Sequence, residues 1–158
     1  MAELGIVASV VQIADLGVRL SLRLYTFGET VASADKSIIS IAKDVSLASS
    51  VLRELGQTLE KDQEPRLCSE NAFQTADAIV KECLEVFRSM DKALAKSMSR
   101  LESQDGARRT MTGAALDRLK WPFVQPKMEL LRSNLERLKS TLLLMINVII
   151  YARQVADK

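Results

Sequence analysis

Residues 4–14 carry no charged side chain, and Ser9 and Gln12 are their only polar ones. A helix over this stretch is apolar on every side, so it must be buried in protein or in lipid. A helix at one end of a chain can do both in turn, because peeling it away disturbs few connections. The apolar character continues to Leu24, with charge entering only at Asp15, Arg19 and Arg23. Gln12, Asp15, Arg19 and Arg23 form a polar stripe at spacings of three and four, opposite Ile6, Val10, Ile13, Gly17, Leu20 and Leu24. Asp15 and Arg19 stand in a favourable i,i+4 relation.

The same three-four spacing continues along the chain. Helix one is expected at about 2–25, ending near Tyr25; after a turn at Gly28, helix two is expected at about 33–60, with Ile38, Ile41, Val45, Ala48, Leu52, Leu55 and Leu59 inward. Helix three is expected at about 70–102, capped by Ser69, with Ala76, Val80, Cys83, Phe87, Met90 and Leu94 inward. Residues 103–115 hold Gly106 and Gly113 and little to bury, which reads as a loop. A short extra helix at about 116–120 then leads to an apolar core corner, Trp121-Pro122-Phe123. Helix four is expected at about 126–156. Its seam of Met128, Leu131, Leu135, Leu138, Leu142, Met145, Ile149 and Ala152 resembles a coiled coil. From Leu142 to Ile150 only Asn147 interrupts the apolar residues, which places this stretch in the core against helix one. Nothing alternates with the period of a strand. The fold class is therefore all-α: an elongated antiparallel four-helix bundle, one domain over 1–158.

Composition removes several functions. With 22 basic and 20 acidic residues the net charge is +2, and aromatics are 4% of the chain, so nucleic acid is not an expected partner. There is no histidine, hence neither the commonest general base nor a Glu-x-x-His metal site. Cys68 and Cys83 lack ligand spacing, and Cys83 falls on the inward stripe. Asp44, Glu54, Asp77, Glu82, Glu85 and Asp91 are expected on solvated faces, and no glycine loop cradles a phosphate. No enzyme, no cofactor and no metal is the reading. Two free thiols suit a reducing cytosol. Glu3 stands where a signal peptide needs Lys or Arg, so no secretory leader is read.

Two segments carry a family resemblance. One is Ala2-Glu3-Leu4-Gly5-Ile6-Val7-Ala8-Ser9-Val10-Val11-Gln12-Ile13-Ala14-Asp15-Leu16-Gly17. The other is Leu119-Lys120-Trp121-Pro122-Phe123 followed by Leu135-Glu136-Arg137-Leu138-Lys139-Ser140-Thr141-Leu142-Leu143-Leu144. Together they resemble the N-terminal HeLo-like (HeLo/HELL) helical domains of fungal NLR-type (STAND) proteins, over nearly the whole chain. The resemblance implies a domain excised from a larger protein and acting as a cell-death effector. Such a domain is cytoplasmic at rest. An upstream NLR or amyloid-type trigger makes it self-associate, after which it relocates to the plasma membrane and permeabilises it through its N-terminal helix. Carried over by position, that membrane-insertion helix comprises Leu4, Gly5, Ile6, Val7, Val10, Val11, Ile13, Asp15, Leu16, Arg19, Leu20 and Leu24. Neither a nucleotide-binding domain nor a repeat array nor an amyloid motif lies in these residues.

The physics of insertion is nearly balanced. Leu4 to Leu24 as a helix spans about 31 Å, enough to cross a hydrocarbon core. Its Leu, Ile and Val residues contribute roughly −3 to −7 kcal/mol, while Asp15 and Arg19 cost roughly 2.5–3.5 kcal/mol each at depth. Helix one is thus expected to insert conditionally, through an oligomer that pairs or hydrates those charges. Gly5-xxx-Ser9 and Gly17-xxx-Ser21 would permit close helix approach. The alternative is a non-lytic oligomerisation or adaptor bundle from which no helix leaves.

Overall fold

A computed structural model describes the backbone at 2–31, 36–61, 70–105 and 112–156, and side chains at 5, 7–29, 36–61, 74–95 and 125–155. Four helices make up the described residues: α1 (Ala2–Val31), α2 (Lys36–Lys61), α3 (Glu70–Asp105) and α4 (Thr112–Ala156). No strand occurs among them, and the architecture is an all-α four-helix bundle.

Cross-helix neighbours fix the topology. Gly56 faces Val10, Gly17 faces Ser49, and Gly28 faces Ile38, so α1 and α2 run antiparallel as a hairpin. Gly17 also meets Phe87, and Arg23 pairs with Asp91, so α3 runs parallel to α1. Arg132 pairs with Asp44, and Arg153 donates to the Thr58 carbonyl at 3.0 Å, so α4 runs parallel to α2. The helices follow one another around the bundle as α1, α2, α4, α3, which puts α1 and α4 on a diagonal where they barely touch.

The inward stripes are those the spacing gives. Ile38, Ile41, Val45, Ala48, Leu52, Leu55 and Leu59 of α2 are buried. So are Ala76, Val80, Cys83, Phe87, Met90 and Leu94 of α3, and Met128, Leu135, Leu138, Leu142 and Ile149 of α4. Leu131, Met145 and Ala152 are half-buried.

Four expectations need correction. Helix one does not end near Tyr25: the helix continues through Thr26, Phe27 and Gly28 to Val31. Phe27 is buried, and a Cβ at Gly28 would lie 3.3 Å from Ile38 and Ile39, so Gly28 serves close packing inside a helix rather than a turn. The segment 116–120 is not a separate helix, and Trp121-Pro122-Phe123 makes no backbone corner. Both belong to α4, which is 45 residues long and runs through Pro122 and Pro126. Each proline removes one i→i−4 bond, and the good helix formers on either side, Ala114, Ala115 and Leu116 before and Lys127, Met128 and Glu129 after, favour a continuous helix. Residues 103–105 belong to α3, and 112–115 to α4. Lastly, α4 does not lie against α1; it lies against α3 and α2. Ser69, Cys68 and the side chains of Trp121, Pro122 and Phe123 lie outside the described residues.

Candidate functional site

Two surfaces compete for a functional role: the N-terminal helix α1 and the outer face of α4. On α1, Val10, Ile13, Leu20 and Leu24 are buried, and Val7 and Leu16 are half-buried against them. Gly5 and Val11 are exposed, Val11 at 44%. Leu4 and Ile6 belong to α1, but their side chains lie outside the described residues. Asp15 and Arg19 are both exposed. Asp15 reaches across to α2, where Arg53 donates to it at 3.3 Å.

Small residues draw α1 onto α2. Ser21 donates to the Ala42 carbonyl at 2.8 Å, and both residues are buried. A Cβ at Gly17 would overlap Ser49 Oγ and sit 2.9 Å from Phe87 Cε2. The Gly17-xxx-Ser21 pair therefore acts inside this bundle, as the close-approach face for α2 and α3. Ser49 Oγ is itself tied to the Val45 carbonyl at 2.8 Å.

The remaining polar ties of α1 are at the surface. Arg23 pairs with Asp91 of α3, with side chains 43% and 38% exposed, and the Asp15–Arg53 side chains are about half exposed. Exposed pairs of this kind contribute at most about 1 kcal/mol each. Between α1 and α3 lies an open groove of about 380 Å³, where Gln12, Leu16 and Arg19 face Leu84 and Arg88. What holds α1 is thus apolar burial and close approach, with little contributed by charge.

A different balance holds between α2 and α4. Arg132 spans to Asp44 and to Ser40 Oγ at 2.7 Å, with the Arg132 and Asp44 side chains only 28% and 17% exposed. Asp44 is therefore an inter-helix clamp and not the solvated carboxylate that the sequence suggests. Cys83 is buried, and its thiol is pushed up to about 12, first by burial and second by the charge of Glu82. A thiol held neutral in this way is a core residue and a poor nucleophile. Among the described residues no three His, Cys, Asp or Glu side chains gather as metal ligands.

The second surface is the one sequence reasoning assigned to the core. In α4, Leu143, Leu144, Val148, Ile150, Tyr151 and Val155 are exposed, Leu144 at 63% and Tyr151 at 68%. The signal was present: residues 140–152 contain no charge. An all-round apolar helix is expected to have neighbours on several sides. Because α1 sits across the diagonal, the outer side of α4 has no such neighbour among the described residues. Gln125–Val155 is also long and apolar enough to cross a membrane by length and composition, with 22% of its most apolar stretch buried.

No family model, curated protein or solved structure matches the chain.

Proposed function

We propose that this chain is a conditional membrane-permeabilising effector bundle, at rest in the cytoplasm. On a trigger from an upstream receptor or amyloid-type template it assembles into a larger oligomer, and α1 leaves the bundle to enter the plasma membrane. The observation that carries this reading is the way α1 is held. It is one unbroken helix of 30 residues, linked to the rest by an apolar face and by exposed ion pairs. Freeing Val10, Ile13, Leu20 and Leu24 into water costs about 1.5–3 kcal/mol each, so α1 does not leave spontaneously. A bilayer offers those four side chains an equivalent apolar environment. Asp15 and Arg19 are the residues that make entry conditional on partners.

The test is dye leakage from anionic-lipid vesicles, with variants that leave the bundle intact. Val11 is 44% exposed, so Val11→Asp disturbs the bundle little but adds roughly 2.5–3.5 kcal/mol to insertion. Asp15→Asn removes a deep charge and should raise leakage. Leakage that ignores both substitutions in folded protein refutes insertion by α1.

A second reading has its own observation. The exposed outer face of α4 can serve a non-lytic adaptor that signals through helix contacts alone. Absence of leakage even after forced oligomerisation selects that reading.

A further inference from the structure

We propose that the outer face of α4 is a self-association surface covered by a second copy of this chain, with the two α4 helices paired antiparallel along Leu144, Val148, Tyr151 and Val155. These four side chains are 63%, 58%, 68% and 53% exposed, and they recur at steps of four, three and four. That is the spacing of a helix–helix seam, on the side of α4 away from the buried Leu142, Ile146 and Ile149. A lipid surface would accept the same stripe, so the occupant is decided by what surrounds it.

Area, charge and shape support the same occupant. With the flanking Leu143 and Ile150, 40% and 37% exposed, the patch presents roughly 600 Å² per protomer. A two-fold pair would then bury roughly 1,200 Å², the lower limit for specific interfaces. An isologous contact sets each surface against itself, so like charges on the patch would repel. Residues 140–152 have none.

Direction follows from what lies next in the register. Arg137 is exposed and continues the seam towards the N-terminal end of α4. Parallel pairing would set Arg137 against its own copy, and Tyr151 against Tyr151. Antiparallel pairing about the middle of the seam separates the arginines and stacks Leu144 on Val155 and Val148 on Tyr151, a large side chain beside a smaller one in every layer. The surface is independent of α1, which lies across the bundle diagonal and stays uncovered in such a dimer.

Sedimentation equilibrium of the full chain without lipid tests this. The expected result is twice the monomer mass, falling to the monomer mass in Val148→Lys and in Leu144→Lys, with helical signal unchanged because both sites are exposed and with the unfolding midpoint that the parent chain shows when diluted to monomer. Direction is read by oxidation in a Cys68→Ser background, Cys83 being buried and held as the neutral thiol. Leu144→Cys chains mixed with Val155→Cys chains should cross-link to each other, and neither should cross-link to itself, because in the antiparallel register each lies about 16 Å along the axis from its own copy. Monomer mass for the unsubstituted chain into the hundred-micromolar range overturns the proposal. So does a dimer that persists in both lysine variants, and so does self-linking of Leu144→Cys, which marks a parallel pair. A chain that is monomeric in buffer but binds vesicles through Val148 also overturns it, with lipid as the occupant. None of these readouts depends on leakage, so failure of the effector reading leaves the dimer standing and failure of the dimer leaves the effector reading standing.

Discussion

Gly17 is the most tightly enclosed of the described glycines, and replacing it with alanine isolates what close approach contributes. On an isolated helix Gly→Ala stabilises by about 1 kcal/mol. Here the new methyl group would overlap Ser49 Oγ and stand 2.9 and 3.0 Å from two ring carbons of Phe87. Neither neighbour moves easily. Ser49 is bound to the Val45 carbonyl, and Phe87 is fully buried. Overpacking of this kind costs about 1–3 kcal/mol, occasionally more, and two obstructed directions place Gly17→Ala at the upper end. The net expectation is a loss of about 2 kcal/mol, measured by urea unfolding followed by circular dichroism. Gly5 is the internal control, because nothing lies within 4 Å of its would-be Cβ; Gly5→Ala should be neutral or stabilise by a few tenths of a kcal/mol. Ser49→Ala in the Gly17→Ala background removes the worst overlap and should restore about half the loss, a coupling visible as non-additivity in the double-mutant cycle. If Gly17→Ala stabilises the chain as Gly5→Ala does, α1 is not seated against α2 and α3 in this way.

Arg132→Met keeps the stem of the side chain but strands Asp44, and should cost about 1–2 kcal/mol; adding Asp44→Asn should recover part of it in the same unfolding assay. The inward and outward sides of α4 should separate sharply. Leu142→Ala, at a fully buried site, should cost about 2–5 kcal/mol, whereas Leu144→Ala should stay within about 0.5 kcal/mol at protein concentrations too low for association. The Cys83 thiol ionises near 9.0 when unfolded but only near 12 in the folded chain. Its contribution is therefore intact below pH 9 and declines by about 1.4 kcal/mol per pH unit above it. The stability difference between the parent chain and Cys83→Ala should shrink accordingly between pH 8 and 10.5, and a gap independent of pH would contradict a buried thiol.

The inward stripes of α2, α3 and α4 were legible because periodicity reports directly on which side of a helix is buried. Every stripe position of α2 named from spacing is buried, from Ile38 to Leu59. Helix ends were less legible. Gly28 reads as a turn and Trp121-Pro122-Phe123 as a corner, but the local cost of a glycine or proline is a few kcal/mol at most, and tertiary contacts override it. At Gly28 the contact is visible, with Ile38 and Ile39 against the missing Cβ. Helix adjacency was not legible at all. Periodicity gives the face of a helix but not its neighbour, and the order α1, α2, α4, α3 follows from where small residues allow close approach. Gly17, Ser21, Ala42 and Ser49 do so for the α1–α2 hairpin, and that choice sends α4 to the far corner.

That one misplacement relocates the functional question. An apolar helix beside α1 would have hidden its own surface and left α1 as the sole hydrophobic element with a choice of environment. On the diagonal, the chain has two. α1 satisfies its apolar face inside the bundle, through contacts that must be broken before any membrane gains from them. α4 keeps Leu144, Val148, Tyr151 and Val155 in water with nothing to break. A surface that costs no rearrangement to cover is occupied first, whatever the trigger. In the proposed reading, self-association through α4 therefore precedes release of α1 and raises the local concentration of α1 helices. Asp15 and Arg19 need such neighbours if they are to enter a bilayer paired.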